Sequence, residues 1–301
     1  MSTFAAAAAL ADNELEYASD RDFVAILGAS PSRGARSPVL WNAAFEAHAM
    51  EAKMLPIDIT AARLGDLLRE LDANTRFLGG AIAMPHKEAI ARWLGDRLTP
   101  QARAIGSVNC LFRDALGTLR ATNTDGEGAL RSFEARFGPV SGKTVLLLGA
   151  GGAGKAVAAF FRDAVEPHGR LRLCSRSRAA VEVAARLRAD WLEWSELDQG
   201  LAETDVVVNC TSVGTAEQIG QSPLTAAQLA RLPAHAVVFD IIYQPSPTEL
   251  LRLAQARGLR TLDGTDMNLE QAVLAYGYAA PAPRGADVTR AAMVAARKRH
   301  A

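Results

Sequence analysis

The sequence predicts an α/β protein of two domains. Short apolar runs of strand length alternate with segments that have helical spacing, the pattern of parallel sheets covered by helices. Gly138-Pro139 and Ser141-Gly142 separate two such series, and 301 residues suffice for two cores. We expect an N-terminal α/β domain from residues 1–124 and 265–301, and a doubly wound parallel sheet from residues 125–264.

In the first domain, an apolar run at residues 23–27 ends in Gly28 and predicts a buried strand. Similar runs predict strands at residues 54–57 and 79–84, and regular leucines predict a helix at residues 62–71. Pro38 suits the first turn of another helix, with Ser37 as its N-cap. Two helices near the C-terminus have no strand of their own, so we expect them to return to this domain.

The second domain opens with an apolar strand, a glycine-rich turn and a helix. Its strands are predicted at residues 144–148, 171–174, 206–209 and 237–240, and its first helices at residues 155–162 and 179–188. Strands that alternate with helices in this way form a doubly wound parallel sheet.

The composition is that of an ordinary water-soluble protein: 49% hydrophobic, 22% charged, with 33 basic and 33 acidic residues. A net charge of zero does not attract nucleic acid or an anionic membrane. The three cysteines lie far apart in apolar runs, and the histidines lack ligand spacing, so no metal site is expected. The start lacks a basic leader region. We expect a cytoplasmic monomer or homodimer.

The run Gly149-Ala150-Gly151-Gly152-Ala153-Gly154 fits G-x-G-x-x-G between a predicted strand and a predicted helix. In that context it indicates a Rossmann-type dinucleotide site, because glycines let backbone N–H groups approach a pyrophosphate at a helix start. A tight turn without a ligand is the alternative. A phosphate-binding loop of the Walker type is disfavoured, because Ala156 stands where a magnesium-binding hydroxyl is needed.

The end of the second strand of this domain carries Ser175-Arg176-Ser177-Arg178. NAD-binding sites tend to have an acidic residue there, whereas arginine and hydroxyls suit the 2′-phosphate of NADP. The sequence therefore favours NADP, with NAD possible. A solvated basic turn is the alternative.

Lys87 and Asp125 are candidates for proton transfer. The chain contains only five lysines, and an amine can act as a base where a guanidinium cannot. Each residue lies next to a predicted strand end. The spacing alone equally allows a surface lysine and an aspartate that caps a turn in Asn123-Thr124-Asp125-Gly126.

The order of these segments resembles the shikimate dehydrogenase family over nearly the whole chain from Phe23 onward. The matching segments are Ser37-Pro38, Met84-Pro85-His86-Lys87, Val108-Asn109, Asn123-Thr124-Asp125-Gly126, the glycine turn, Ser175-Arg176-Ser177, Asn209-Cys210-Thr211-Ser212-Val213-Gly214, Asp240-Ile241-Ile242-Tyr243-Gln244-Pro245 and Gly264-Thr265-Asp266-Met267-Asn268-Leu269-Glu270-Gln271.

The resemblance implies reversible hydride transfer between NAD(P) and a ring alcohol or ketone of shikimate, 3-dehydroshikimate or a related cyclic hydroxy acid. It implies Lys87 and Asp125 as the catalytic pair. The implied substrate-binding residues are Asn109, Tyr243 and Gln271, and Arg36 and Ser37 are further candidates for substrate binding. The implied cofactor-binding residues are Gly149, Gly151, Gly152, Ala153, Ser175, Arg176, Ser177, Thr211, Gly214, Ile241, Gly264 and Met267. The site is expected in a cleft at the carboxyl ends of the strands.

Three polar side chains of the family pattern are absent. Ala35 replaces the first serine of S-x-S-P, and Ala81 and Ala83 replace the asparagine and threonine of N-V-T. In the family these groups hold the carboxylate and ring hydroxyls of the substrate. Two explanations fit: Arg36 pairs with a carboxylate instead, or the true substrate is less hydroxylated than shikimate. A nucleotide-binding regulator, or a dehydrogenase of an unrelated substrate, is the alternative function.

Overall fold

The computed structural model describes residues 4–18, 20–177, 180–280 and 285–299. The chain divides into two compact units. Unit 1 comprises Met1–Thr124 and Ala272–Ala301, and unit 2 comprises Asp125–Gln271. The chain therefore passes from unit 2 back to unit 1 between residues 271 and 272, inside a helix. The sequence instead predicts this domain boundary between residues 264 and 265.

The described strands are β1 Asp22–Gly28, β2 Ala52–Asp58, β3 Phe77–Ile82, β4 Cys110–Arg113, β5 Leu119–Thr122, β6 Thr144–Leu148, β7 Arg170–Cys174, β8 Asp190–Leu192, β9 Val206–Asn209, β10 Val237–Asp240 and β11 Arg260–Leu262. The described α-helices are α1 Phe4–Ala8, α2 Ser37–Ala47, α3 Ala61–Ala73, α4 Lys87–Leu94, α5 Pro100–Ile105, α6 Asp125–Phe137, α7 Gly152–Val165, α8 Ala180–Leu187, α9 Leu197–Leu201, α10 Ala226–Leu229, α11 Glu249–Ala256, α12 Thr265–Ala279 and α13 Gly285–Arg299.

Unit 1 is built on a five-stranded sheet in the order β2-β1-β3-β4-β5. The strands β2, β1 and β3 are parallel, and the hairpin β4-β5 adds two antiparallel strands. The apolar run of β1 is almost wholly buried, which explains its unbroken hydrophobicity. Helix α13 packs against α2, so the C-terminal helix lies in this unit, as predicted.

Unit 2 contains a six-stranded parallel sheet in the order β11-β10-β9-β6-β7-β8. Alternate residues of β6 enter two separate cores. Val145 and Leu147 belong to one core, which contains residues of α6 and α7. Leu146 and Leu148 belong to the other, which contains residues of α9, α10 and α11. The sheet is therefore covered on both faces, and the predicted doubly wound α/β class is confirmed.

The structure corrects several element predictions. Strand β3 ends at Ile82 and not at residue 84, because Met84 lies exposed in the following turn. Helix α2 already includes Ser37, with Arg36 at the cap position and no side-chain cap hydrogen bond, so the N-cap prediction was wrong. The hairpin β4-β5 and the short edge strands β8 and β11 were not predicted, because each has only three or four residues and partly exposed side chains.

Helices α6 and α7 approach each other closely at Gly126. A Cβ atom at this position would lie 2.2 Å from the carbonyl oxygen of Ala156 and 2.4 Å from the ring of Phe160. Real Cβ atoms do not come this close, so a side chain here forces the helices apart. Because α6 begins at Asp125 and α7 begins in the glycine turn, this contact fixes both helix starts within unit 2.

We expect Gly126→Ala to destabilise the protein by about 1–3 kcal/mol through overpacking. Gly277→Ala is the matched control, since Gly277 also lies in a helix and its Cβ would meet no atom within 4 Å. The control should be neutral or more stable by up to ~1 kcal/mol, because alanine favours helix. Unfolding midpoints of the two variants test this, and equal midpoints would contradict the close contact.

Candidate active site

The three glycines that fit the G-x-G-x-x-G pattern, Gly149, Gly151 and Gly154, occupy three different environments. Gly149 has φ +95°, and its Cβ would lie 2.9 Å from the side chain of Thr211. A Cβ at Gly154 would lie 2.2 Å from the carbonyl oxygen of Gly149. Gly151 is exposed, caps the start of α7, and would place its Cβ in open space. The first glycine therefore permits the turn, the second leaves room for a ligand, and the third permits helix–strand packing, which are the three needs of a dinucleotide-binding turn.

The glycine turn is tied to the neighbouring strand ends of the parallel sheet. The N–H of Gly149 donates to the carbonyl oxygen of Cys174 at the end of β7 (2.8 Å), and Cys210 donates to Leu148 at the end of β6 (2.8 Å). Ser175 follows β7 directly and accepts from the N–H of Ser177 (3.3 Å). Arg176 and Ser177 are exposed. The residues predicted to bind the 2′-phosphate thus directly follow β7, and the carbonyl of the last β7 residue accepts the hydrogen bond from the glycine turn. Arg178 lies outside the described residues.

A polar network joins the ends of β9 and β10. Asn209 Nδ2 donates to Asp240 Oδ1 (3.0 Å), and Asn209 Oδ1 accepts from both the N–H (3.0 Å) and the hydroxyl (2.7 Å) of Thr211. Asp240 also accepts from the N–H of Ile242 (3.1 Å) and the hydroxyl of Thr248 (2.7 Å). The network therefore fixes Thr211 and the start of the loop that carries Tyr243.

Asn209 and Asp240 were not predicted to have a role at the site. Both are fully buried, and both directly follow apolar strand residues. A polar residue at the end of an apolar strand was the available signal. Burial raises the pKa of Asp240 to about 6, against the lowering effect of its hydrogen bonds from Thr248, Ile242 and Asn209. Burial, together with the negative Asp240 and Asp125, raises the pKa of the Cys210 thiol, so this cysteine stays neutral.

Close backbone packing also shapes the remaining predicted cofactor residues. A Cβ at Gly264 would lie 1.9 Å from the carbonyl oxygen of Ile241, and the N–H of Gly264 donates to the carbonyl of Ile242 (3.0 Å). Met267 is buried in the core that contains α6 and α7. Gly214 is buried with φ +104°, a conformation that favours glycine. The close contact at Gly264 and the positive φ at Gly214 therefore each require glycine.

Asp125 is the first residue of α6 and is buried, with 5% of its surface exposed. The start of a helix suits a carboxylate, because the helix dipole is positive there. One turn further along, Gly128 lets α12 approach, since its Cβ would lie 2.8 Å from the backbone nitrogen of Gln271. The side chain of Gln271 donates to the carbonyl of Asn268 (2.9 Å). Unit 2 thus brings Asp125 and Gln271 onto adjacent, closely packed helices.

In unit 1, Lys87 begins helix α4 and is half-buried. Its carbonyl oxygen accepts from the N–H of Val108 (3.2 Å), the residue before Asn109. Asn109 is buried, and its Oδ1 accepts from the N–H of Thr124 (2.8 Å). Its Nδ2 donates to the Thr124 hydroxyl (3.0 Å). Asn109 therefore fixes the residue that precedes Asp125 in the chain, a role that its prediction as a substrate contact did not include.

The remaining predicted residues of unit 1 lie around the start of α2. Ser37 is buried and Arg36 is half-buried. Ala35 donates from its N–H to the carbonyl of Pro31 (3.1 Å), and Ala83 donates to the carbonyl of Leu27 (2.8 Å). These bonds place the two alanines in backbone segments that both flank the end of β1, where the family pattern has hydroxyl groups.

No described helix has the length and apolarity needed to cross a membrane. Within residues 4–18, 20–177, 180–280 and 285–299, no group of three or more His, Cys, Asp or Glu side chains is arranged to bind a metal ion.

The doubly wound sheet and its glycine turn are those of the dinucleotide-binding class of α/β proteins. Residues 27–111 match the family model of the shikimate dehydrogenase substrate-binding domain. A shikimate dehydrogenase (NADP(+)) of Thermosynechococcus vestitus is 38% identical over 253 residues, which cover 82% of this chain and 87% of that protein. A shikimate dehydrogenase (NADP(+)) of Methylobacterium radiotolerans is 37% identical over 273 residues, which cover 88% of this chain and 94% of that protein.

Among solved structures, the shikimate 5-dehydrogenase of Thermus thermophilus in complex with NADP(H) and shikimate is 30% identical. It superposes with a TM-score of 0.78, covering 91% of this chain and 99% of that chain. The chain described here belongs to the shikimate dehydrogenase family. This confirms the resemblance found in the sequence.

The raised pKa of Asp240 predicts a pH-dependent stability. The unfolded value is 3.8 and the folded value about 6, so the stabilisation is full below about pH 4 and is lost as the pH rises through about 6. The loss is on the order of 3 kcal/mol. Relative to Asp240→Asn, the wild-type unfolding midpoint should therefore fall between pH 4 and 7. Parallel midpoint curves for the two proteins would show that Asp240 does not titrate in this range.

Proposed function

We propose that the protein catalyses reversible, NADP-dependent oxidation of a ring hydroxyl in shikimate or a related cyclic hydroxy acid. The glycine turn carries the proposal, because Gly149, Gly151 and Gly154 meet three separate requirements of a bound dinucleotide. Membership of the shikimate dehydrogenase family supports the reaction class.

The residues present fit the cofactor. The pyrophosphate would lie over Gly151, Gly152 and Ala153 at the start of α7, and the 2′-phosphate beside Ser175, Arg176 and Ser177. Thr211, Gly214, Ile241, Gly264 and Met267 would border the nicotinamide. When bound, the nicotinamide supplies or accepts the hydride.

Lys87 and Asp125 are proposed to handle the proton. During ketone reduction, the Lys87 Nζ would donate a proton to the oxygen as negative charge develops there. Asp125 would orient the ammonium and stabilise its charge. In the oxidation direction the neutral amine would remove the hydroxyl proton. Ser37, Asn109, Tyr243 and Gln271 would position the substrate, with Arg36 paired to its carboxylate.

The three alanines support a second candidate, a dehydrogenase whose preferred substrate is less hydroxylated than shikimate. A buried substrate group without its partner costs about 1–3 kcal/mol, so three lost contacts would reduce specificity for shikimate by roughly 10² to 10⁶. Absorbance at 340 nm with NADP or NAD and a panel of cyclic hydroxy acids separates the two candidates. Highest turnover with shikimate favours the first. No turnover on any member, with tight cofactor binding, indicates a nucleotide-binding regulator.

We expect Lys87→Ala and Asp125→Asn each to lower kcat by about 10²- to 10⁴-fold, because the first removes the proposed proton donor and the second removes the charge proposed to orient it. The dissociation constant for NADP should change less than about threefold, since neither side chain is placed at the cofactor. Lys53→Ala, which removes another of the five lysines from an exposed position in β2, is the control. A comparable loss of NADP affinity in the two variants would contradict their assignment to proton transfer.

We expect Arg176→Ala to weaken NADP binding by about 10- to 100-fold, the effect of losing a hydrogen bond between charged groups. NAD has no 2′-phosphate, so its affinity should stay the same. Arg186→Ala removes an exposed arginine from the following helix and serves as the control. Isothermal titration with both cofactors measures the ratio, and equal weakening of NAD binding would count against recognition of the 2′-phosphate.

A further inference from the structure

The end of β2, at Asp58 and the following Ile59, holds three segments of unit 1 that are distant in sequence. The first is the substrate loop, defined as residues 29–36, which leads into Ser37. The second is the N-terminal segment, residues 4–18. The third is His86, the residue before Lys87. No family motif named above includes Asp58.

Both carboxylate oxygens of Asp58 accept hydrogen bonds from one residue of the substrate loop. Asp58 Oδ1 accepts from the N–H of Ser32 (2.8 Å), and Asp58 Oδ2 accepts from the Ser32 hydroxyl (2.5 Å). Asp58 is only 7% exposed, so little water competes for these oxygens. Ser32 itself lies in a short turn of Pro31–Arg33, from which Pro31 accepts the N–H of Ala35 (3.1 Å). These hydrogen bonds link Asp58 to the short turn, and the short turn to Ala35, the residue before Arg36.

The N-terminal segment fixes the backbone of Asp58. The N–H of Asp12 donates to the Asp58 carbonyl (2.7 Å), and the N–H of Asp58 donates to Asn13 Oδ1 (2.7 Å). Asn13 Nδ2 also donates to the carbonyl of Pro56 (3.1 Å). Since β2 is an edge strand, these bonds satisfy backbone groups that a neighbouring strand would otherwise pair. The N-terminal segment is anchored by Phe4, whose ring packs edge-on against the ring of Phe23 with 5.2 Å between the ring centroids.

The same end of β2 reaches the start of α4. The buried His86 donates from Nε2 to the carbonyl oxygen of Ile59 (2.8 Å). Its own carbonyl accepts the N–H of Ile90 in the first turn of the helix (2.9 Å). The end of β2 therefore supports both the loop before Ser37 and the residue before Lys87.

We propose that Asp58 is a positioning residue for substrate binding: its carboxylate holds the substrate loop through Ser32, and the N-terminal segment holds Asp58 through Asp12 and Asn13. This inference rests on the proposed function to the extent that Arg36 and Ser37 contact substrate. The loop has lost a hydroxyl at Ala35, so the remaining contacts depend on a fixed loop conformation. Asp58 touches no reacting group and acts through Ser32.

Hydrogen exchange tests the coupling without any substrate. In Asp58→Ala, the Ser32 amide should exchange about 10- to 100-fold faster, because it loses a charge-assisted hydrogen bond. Asn13→Ala should also accelerate it, although Asn13 does not touch the loop. Asp58→Asn should restore part of the protection, since its amide oxygen still accepts the N–H. Unchanged exchange in Asp58→Ala, in a protein with wild-type circular dichroism, would overturn the proposal.

Steady-state kinetics with shikimate and NADP form the second arm. Ser32→Ala should raise KM for shikimate by about 3- to 30-fold and leave kcat and NADP affinity nearly unchanged. Ser30→Ala is the matched control in the same loop, since Ser30 makes no side-chain cap hydrogen bond. Adding Ser32→Ala to Asp58→Ala should have no further effect on KM, whereas additive effects would overturn the coupling.

The two arms separate this inference from the proposed function. If wild-type protein turns over no member of the hydroxy-acid panel, the proposed function fails, and exchange of the Ser32 amide still decides whether Asp58 holds the loop. If turnover is normal and the exchange and KM effects are absent, the positioning role of Asp58 fails alone. Ser32 is exposed, so its variant should fold even if Asp58→Ala does not.

Discussion

At Gly126, Gly149, Gly154 and Gly264, main-chain atoms of unit 2 approach so closely that no side chain fits between them. The cofactor end of the unit depends on this constraint. Gly149 and Gly154 bring the start of α7 against the strand ends, so that the exposed Gly151 and the first amides of the helix are available to an anion. Gly126 then sets α6, and with it Asp125, against the same helix. One geometric requirement therefore positions both the turn and the carboxylate.

The buried pair of Asn209 and Asp240 extends this organisation across the sheet. Their side chains link β9 to β10 by a hydrogen bond, and their side-chain oxygens also accept hydrogen bonds from Thr211, Ile242 and Thr248. Because these partners include Thr211 and the residue before Tyr243, one polar network supports a proposed cofactor residue and the segment of a proposed substrate residue. The raised pKa of Asp240 is the energetic consequence of placing a carboxyl group there.

The sequence predicted the longer parallel strands well, because each contains a buried apolar run that ends near glycine, proline or a polar residue. The three-residue parallel strands β8 and β11 were missed. The prediction also failed for β4 and β5, where four-residue strands carry partly exposed side chains and no period is visible. The glycine turn was predictable because its context is specific. The role of Asp58 was not, since a lone aspartate after an apolar strand resembles any solvated strand end, and its partners Asp12, Asn13 and Ser32 are brought to it only by folding. The same reason hid the bond between Asn109 and Thr124.

The substrate question follows from where the family pattern is kept and where it is lost. The retained groups, Lys87, Asp125 and the glycine turn, are those proposed to act on the proton and the hydride, which are the same for any secondary alcohol. The lost groups, at Ala35, Ala81 and Ala83, lie in segments beside the ends of β1 and β3, where the family pattern has polar side chains. A methyl group cannot accept or donate a hydrogen bond, so a hydroxyl or carboxylate opposite it is bound only if another group such as Arg36 replaces the contact. If the proposed site is right, selection among ring substituents is therefore decided in unit 1, and the chemical step can remain constant while the substrate changes.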